Sequence, residues 1–164
     1  MASPKIAIFI DGANVDIAST RSKIRINYVL LKVFLASGRT AVLANYYNSA
    51  PKNLAEASFY TQVESAGFNL VYGPKKWPNR PQKQIDVQIA VDMISEAYSN
   101  TFDVAVLVSG DGDLTPAVKK LTSMHKQVEV ASFNDPVKRQ FSWALKTAAS
   151  KTVDLTKNAR KFRM

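Results

Sequence analysis

The chain has 164 residues, 46% of them hydrophobic, no cysteine, and a formal net charge of +9 with a pI near 9.8. That length suits one domain, able to bury about 68–70% of the surface its unfolded form exposes, so neither a disulfide nor a structural metal is needed for folding. The missing cysteines exclude a disulfide framework, a thiolate zinc site and a thiol nucleophile; the positive charge points to a polyanionic partner, with nucleic acid foremost.

Residues 5–11 are apolar and β-rich and predict a buried strand ending in Asp11. The run from Ile6 to Ile10 is too short for a signal peptide or a membrane span, and no later run approaches about 18 apolar residues. The expectation is a cytoplasmic protein with no membrane partner. Residues 27–37 carry Val29, Leu30, Val33 and Phe34 at helical spacing, and Gly38 follows as a stop. A strand is expected over 40–48, then a helix opened by Pro51 and Lys52 and running to about Ala66, with Leu54, Phe59 and Val63 on one side and Gly67 at its end. A short strand follows over 68–72.

Residues 73–83 break the pattern with Pro74, Pro78 and Pro81, Trp77, and the cations Lys75, Lys76, Arg80 and Lys83. They read as a loop. A helix over 85–99, a buried strand over 104–109, a helix over 114–123 and a strand over 127–132 come next. A helix over 136–149 is expected, capped by Asn134 or Asp135, and a last short strand over 152–155. Residues 156–164 form a basic tail with Lys157, Arg160, Lys161 and Arg163 and no acid. Strands alternating with helices predict an α/β protein with a mainly parallel sheet covered on both faces. The order of strands cannot be read in this way.

Ligands of open α/β sheets bind beyond the carboxyl ends of the strands. Two predicted strands end in acid there: Ile8-Phe9-Ile10-Asp11-Gly12-Ala13-Asn14 and Val106-Leu107-Val108-Ser109-Gly110-Asp111-Gly112-Asp113. If the strands are neighbours, Asp11, Asp111 and Asp113 share a rim. Two like charges about 4 Å apart repel by roughly 4 kcal/mol at an effective dielectric near 20, so a proton, a cation or a metal must offset them. Oxygen donors without His or Cys suit Mg²⁺ or Mn²⁺. Gly12, Gly110 and Gly112 are expected to let the backbone turn sharply and leave room for a ligand. Asp113 precedes Leu114-Thr115-Pro116 and reads equally as a helix cap.

Asp86 is expected to open the helix after the basic loop, where the helix dipole also favours an acid. Asp92 lies six positions on, about 240° around a helix, so it does not share a metal with Asp86 and reads as a supporting residue. The loop and the tail hold eight of the 22 Lys and Arg. With Arg21, Lys23 and Arg25 they form a candidate track for phosphates. Trp77, with Tyr72 nearby, either stacks a base or anchors its loop.

The sole histidine, His125, rules out a His-dependent triad or a two-histidine ribonuclease. No P-loop or dinucleotide glycine fingerprint is present. A phosphotransfer aspartate would want a second acid two residues on, where Ala13 stands after Asp11.

The Asp11-x-x-Asn14 strand end, the Lys83-x-x-Asp86 helix start and the Ser109-Gly-Asp-Gly-Asp113 turn together resemble the NYN domains of the PIN-like ribonucleases, in particular the LabA-like group. Val130-Ala131-Ser132-Phe133 and Val153-Asp154-Leu155 are also similar, so the likeness spans residues 5–155; Gln84 departs from it where a glycine is common. The resemblance implies a PIN-like α/β/α sandwich over residues 1–155. It implies a pocket of Asp11, Asp86, Asp111 and Asp113 that binds Mg²⁺ or Mn²⁺ and acts in catalysis, with Asn14 and Ser109 as polar neighbours. It also implies RNA as substrate, bound by Arg21, Lys23, Arg25, Lys75, Lys76, Arg80, Lys83, Lys157, Arg160 and Lys161. The expected activity is metal-dependent RNA hydrolysis; the alternative is a non-catalytic RNA-binding or regulatory module that keeps the acidic site. Candidate partners are RNA and a second copy of the chain as a homodimer.

Overall fold

The computed structural model describes residues 2–73, 81–135, 137 and 140–164, with residues 81–83 by their backbone. Six strands form one sheet: β1 (Lys5–Asp11), β2 (Thr40–Asn48), β3 (Asn69–Tyr72), β4 (Val104–Val108), β5 (Gln127–Ser132) and β6 (Lys151–Asp154). Their order is β3-β2-β1-β4-β5-β6 and every neighbouring pair is parallel. The central strands must then be apolar on both faces. Indeed Ile6 to Ile10 and Val104 to Val108 are buried throughout.

Alternation along β1 sends Ile6, Ile8 and Ile10 to one core and Ala7 and Phe9 to the other. The first core is covered by α1 (Gly12–Arg21), α2 (Tyr28–Ala36), α3 (Leu54–Ser65) and the short α7 (Leu155–Asn158). The second is covered by α4 (Pro81–Tyr98), α5 (Thr115–Ser123) and α6 (Trp143–Ala148). The result is a three-layer α/β/α sandwich with an all-parallel central sheet. Arg39 ties the chain after α2 to β5 through paired hydrogen bonds to Glu129 at 2.8 and 2.9 Å.

Four expectations change. The sequence shows no helix over 12–21, yet α1 starts at Gly12 with no loop after β1; its Asp11 cap compensates for a weakly amphipathic sequence. The expected start at Ile85 moves back to Pro81, which is suited to a first helical turn. Asp86 therefore lies in the second turn of α4 and does not open it. Within the expected helix over 136–149 the described helix is α6, capped by Ser142 and not by Asn134 or Asp135, while residues 136, 138 and 139 lie outside the described residues. The Ser142 N–H donates to the Gly110 carbonyl at 3.0 Å, so residue 142 does not continue a helix from upstream. Finally, Gly12, Gly110 and Gly112 have no left-handed φ. They are needed because protein fills the space beside them: a Cβ would lie 2.5 Å from the Tyr46 ring at Gly12 and 1.8 Å from the Gln140 carbonyl at Gly110.

The segment after Leu155 packs back on the first core. Phe162 is fully buried against Phe34, and its carbonyl accepts the Asn27 N–H at 2.8 Å.

Candidate metal centre

Strand order 3-2-1-4-5-6 reverses direction between β1 and β4, and the crevice beyond their carboxyl ends is where such sheets hold ligands. Asp11 closes β1 and is 3% exposed. Its place in the alternation, two after Phe9, turns it toward the α4 face. Ser109 follows β4 on the same face and donates its hydroxyl to Asp11 Oδ2 at 3.0 Å. The Asn14 N–H donates to Asp11 Oδ1 at 3.1 Å. The Asn14 side-chain oxygen accepts the Gly110 N–H at 2.9 Å, and Ser109 Oγ accepts the Asp111 N–H at 3.1 Å. Asn14 and Ser109 thus brace the two strand ends against each other.

One carboxylate oxygen from each of Asp11, Asp86 and Asp111 lies within 4.8 Å of the others. Burial is the main cause that raises the Asp11 pKa; the Asn14 and Ser109 hydrogen bonds oppose it and Asp111 adds to it. Asp86 is pushed up to about 7, first by burial and then by Asp11, Asp111 and Asp113. All the donors in this cluster are hard oxygens. Such a site can hold a divalent metal ion.

Asp113 stands apart from the triad. It is exposed, its N–H donates to Asp111 Oδ1 at 2.9 Å, and its side chain borders a cleft with Asp86, Val87 and Ala90. Asp111 is the side-chain cap of this turn, and α5 begins after Leu114 with no side-chain cap, so Asp113 does not cap that helix. Asp92 points away from the triad: it accepts from Tyr47 OH at 2.9 Å and from Gln88 at 2.7 Å. Asn45 and Asn69 extend this chain of hydrogen bonds across β2 and β3.

Among the cations, Arg21 lines a groove of about 350 Å³ with Asn14, Asp111 and Ser142. Lys23 and Arg25 are exposed, and Arg25 borders a different cleft. Lys161 lies over the Phe34 ring, beside Arg39 and Glu129. Lys157 follows the Asp154 cap, and Arg160 is exposed. Lys75, Lys76, Arg80 and Trp77, and the side chain of Lys83, lie outside the described residues.

Sequence reading passed over Asp16. It accepts from Tyr46 OH at 3.1 Å and Asn48 at 3.2 Å, and burial pushes it up to about 6 against these hydrogen bonds and one from Tyr28. Its signal was faint: a lone acid inside a helix the sequence barely marks. It lines a cleft of about 630 Å³ with Arg25, Tyr28 and Phe59. That cleft is larger than the acidic crevice but has a single acidic side chain, whereas three carboxylates converge in the triad, so the metal chemistry is assigned to the triad.

The profile of the NYN domain matches residues 5–156. A crystal structure of a protein of unknown function from Vibrio parahaemolyticus superposes with a TM-score of 0.84 at 24% identity, covering 99% of this chain and 97% of that one. A homoserine dehydrogenase from S. aureus reaches a TM-score of only 0.38 at 12% identity, over 94% of this chain and 32% of its own, a likeness too loose to carry an argument. No curated protein sequence matches the chain.

Proposed function

The chain belongs to the NYN domain family, and from that premise we propose that it is a metal-dependent ribonuclease of the LabA-like group. The observation that carries the reading is the convergence of Asp11, Asp86 and Asp111 within 4.8 Å at the switch point of the sheet. The LabA-like assignment is supported by Asp11-x-x-Asn14, Lys83-x-x-Asp86 and Ser109-Gly-Asp-Gly-Asp113.

In this reading Asp11, Asp86 and Asp111 hold Mg²⁺ or Mn²⁺, with Asp113 at the rim of the site. A divalent cation so held lowers the pKa of water and neutralises charge on phosphate oxygens. The chain's own contribution is positional. Ser109 and Asn14 fix the Asp11 carboxylate, and Asn14 locks the Gly110 turn so that Asp111 faces it. Asp86 arrives from a separate helix, which sets the width of the crevice. Arg21 in the adjoining groove supplies positive charge for the RNA backbone, and the remaining basic residues raise affinity in a salt-dependent way.

The test is cleavage of single-stranded and structured RNAs with Mn²⁺, Mg²⁺ or EDTA, beside Asp11→Asn. Metal-dependent cleavage lost in the variant is expected. Cleavage equal in wild type and variant refutes the proposal. Salt-sensitive RNA binding without cleavage turns the assignment to the non-catalytic module.

A further inference from the structure

We propose that the cleft lined by α1, the start of α2 and α3 is a second binding site, for a small zwitterion with an ammonium group at one end and an anionic group at the other. This goes beyond the ribonuclease reading and does not depend on it. The cleft of about 630 Å³ has the size of a small-molecule site. It shares no described residue with the acidic crevice or with the groove beside that crevice. Helix α1 serves both sides: Asn14, Ile17 and Arg21 line the groove, while Asp16, Ser19 and Thr20 line the cleft.

Opposite charges line this cleft without pairing. Asp16 accepts from Tyr46 OH at 3.2 Å on Oδ1 and 3.1 Å on Oδ2, and from Asn48 at 3.2 Å on Oδ2. Tyr28 adds a third neutral donor. Three donors leave a carboxylate room for a fourth. None of the three carries positive charge, and a half-buried anion without a counter-charge is costly. Arg25 lines the same cleft and is exposed. Among the described residues the salt bridge joins Arg39 and Glu129, so Arg25 and Asp16 are not paired with each other. A ligand that offers an ammonium to Asp16 and an anion to Arg25 satisfies both.

The rest of the wall suits an apolar body. Ile24, Val29 and Phe59 line it, and Val29 is 54% exposed. Phe59 meets Tyr28 edge to face with ring centroids 5.7 Å apart, which holds both rings against the first core. The two charges also reject the wrong ligands. Arg25 repels a simple amine or a polyamine, and Asp16 repels a simple carboxylate or phosphate, so both ends are needed for tight binding.

The experiment is calorimetric titration of the full chain in EDTA with 4-(aminomethyl)benzoate, beside benzylamine and 4-methylbenzoate, which lack one charge each. Each charged hydrogen bond should be worth about 10- to 150-fold in affinity, so the zwitterion should bind at least 10-fold more tightly than either control. Asp16→Asn should abolish its advantage over 4-methylbenzoate, and Arg25→Gln its advantage over benzylamine. The wild-type comparison and the exposed Arg25 position keep the test decisive if Asp16→Asn does not fold. No saturable binding of the zwitterion, equal affinity for all three probes, or unchanged affinity in Arg25→Gln overturns the proposal. Zwitterion binding that persists when RNA cleavage is absent upholds the second site while the ribonuclease reading falls.

Discussion

Replacing Asp86 with asparagine should make the metal-free protein more stable and make it deaf to metal. Carboxylate oxygens within 4.8 Å of one another repel by at least about 3.5 kcal/mol per ionised pair at an effective dielectric of 20. Asp86 faces two such partners, and it is raised from 3.8 to about 7, first by burial and then by Asp11, Asp111 and Asp113. That rise corresponds to roughly 4 kcal/mol at 1.36 kcal/mol per pH unit; discounted for the partial exposure of Asp86, about 2 kcal/mol remains. Because the folded-state value lies above the unfolded one, the stability that protonated Asp86 confers is complete below about pH 3.8 and is lost as pH rises through about 7. Asp86→Asn escapes this loss. The two proteins should therefore melt alike near pH 4. At pH 8 in EDTA the variant should be ahead by about 2 kcal/mol, or roughly 4–8 °C for a domain this size. Mn²⁺ at 100 times its Kd should then add about 2.7 kcal/mol to the wild type and little to the variant. Melting curves at pH 4, 6 and 8, with and without metal, decide the matter. A variant no more stable than wild type at pH 8, or equal metal stabilisation of both, refutes the reasoning.

Two further predictions follow from packing and hydrogen bonding. Gly110→Ala would put a Cβ 1.8 Å from the Gln140 carbonyl, and backbone cannot swing aside as a side chain can. It should cost about 3 kcal/mol in urea denaturation, whereas Gly38→Ala, with φ at +77° and no atom within 4 Å, should cost about 1 kcal/mol; equal costs would contradict the steric account. Asp92→Asn should leave metal affinity, measured by calorimetry, within a few-fold of wild type, because Asp92 is occupied by Tyr47 and Gln88, while Asp111→Asn should lose most of it. A large loss in Asp92→Asn would place that carboxylate in the metal site after all.

Sequence by itself determined the layered α/β plan. Uninterrupted apolar runs over residues 6–10 and 104–108 can be satisfied only by strands buried on both faces. It also marked Asp11 and Asp111, because acids at the carboxyl ends of such strands stand where α/β sheets hold ligands. It did not show α1, whose Gly-Ala-Asn-Val-Asp start carries little helical periodicity; the helix is set by the Asp11 cap and by burial of Val15 and Ala18.

Only the tertiary structure decided that β1 and β4 are neighbours, since strand order depends on crossovers that leave no local trace. It also distinguished acids of similar appearance. Asp86, in the second turn of α4, reaches the triad, while Asp92, six residues on, turns to Tyr47. Asp113 falls outside the triad although it is two residues from Asp111: its N–H holds the Asp111 carboxylate while the residue itself is exposed. The glycines show the same division. Their positions are written in the chain, but what needs the missing Cβ, a tyrosine ring at Gly12 and a carbonyl at Gly110, comes from elements far away in sequence. Local sequence fixes periodicity and caps through neighbours on the chain; which groups meet across the sheet is a property of packing, and the chemistry of this site depends on that meeting.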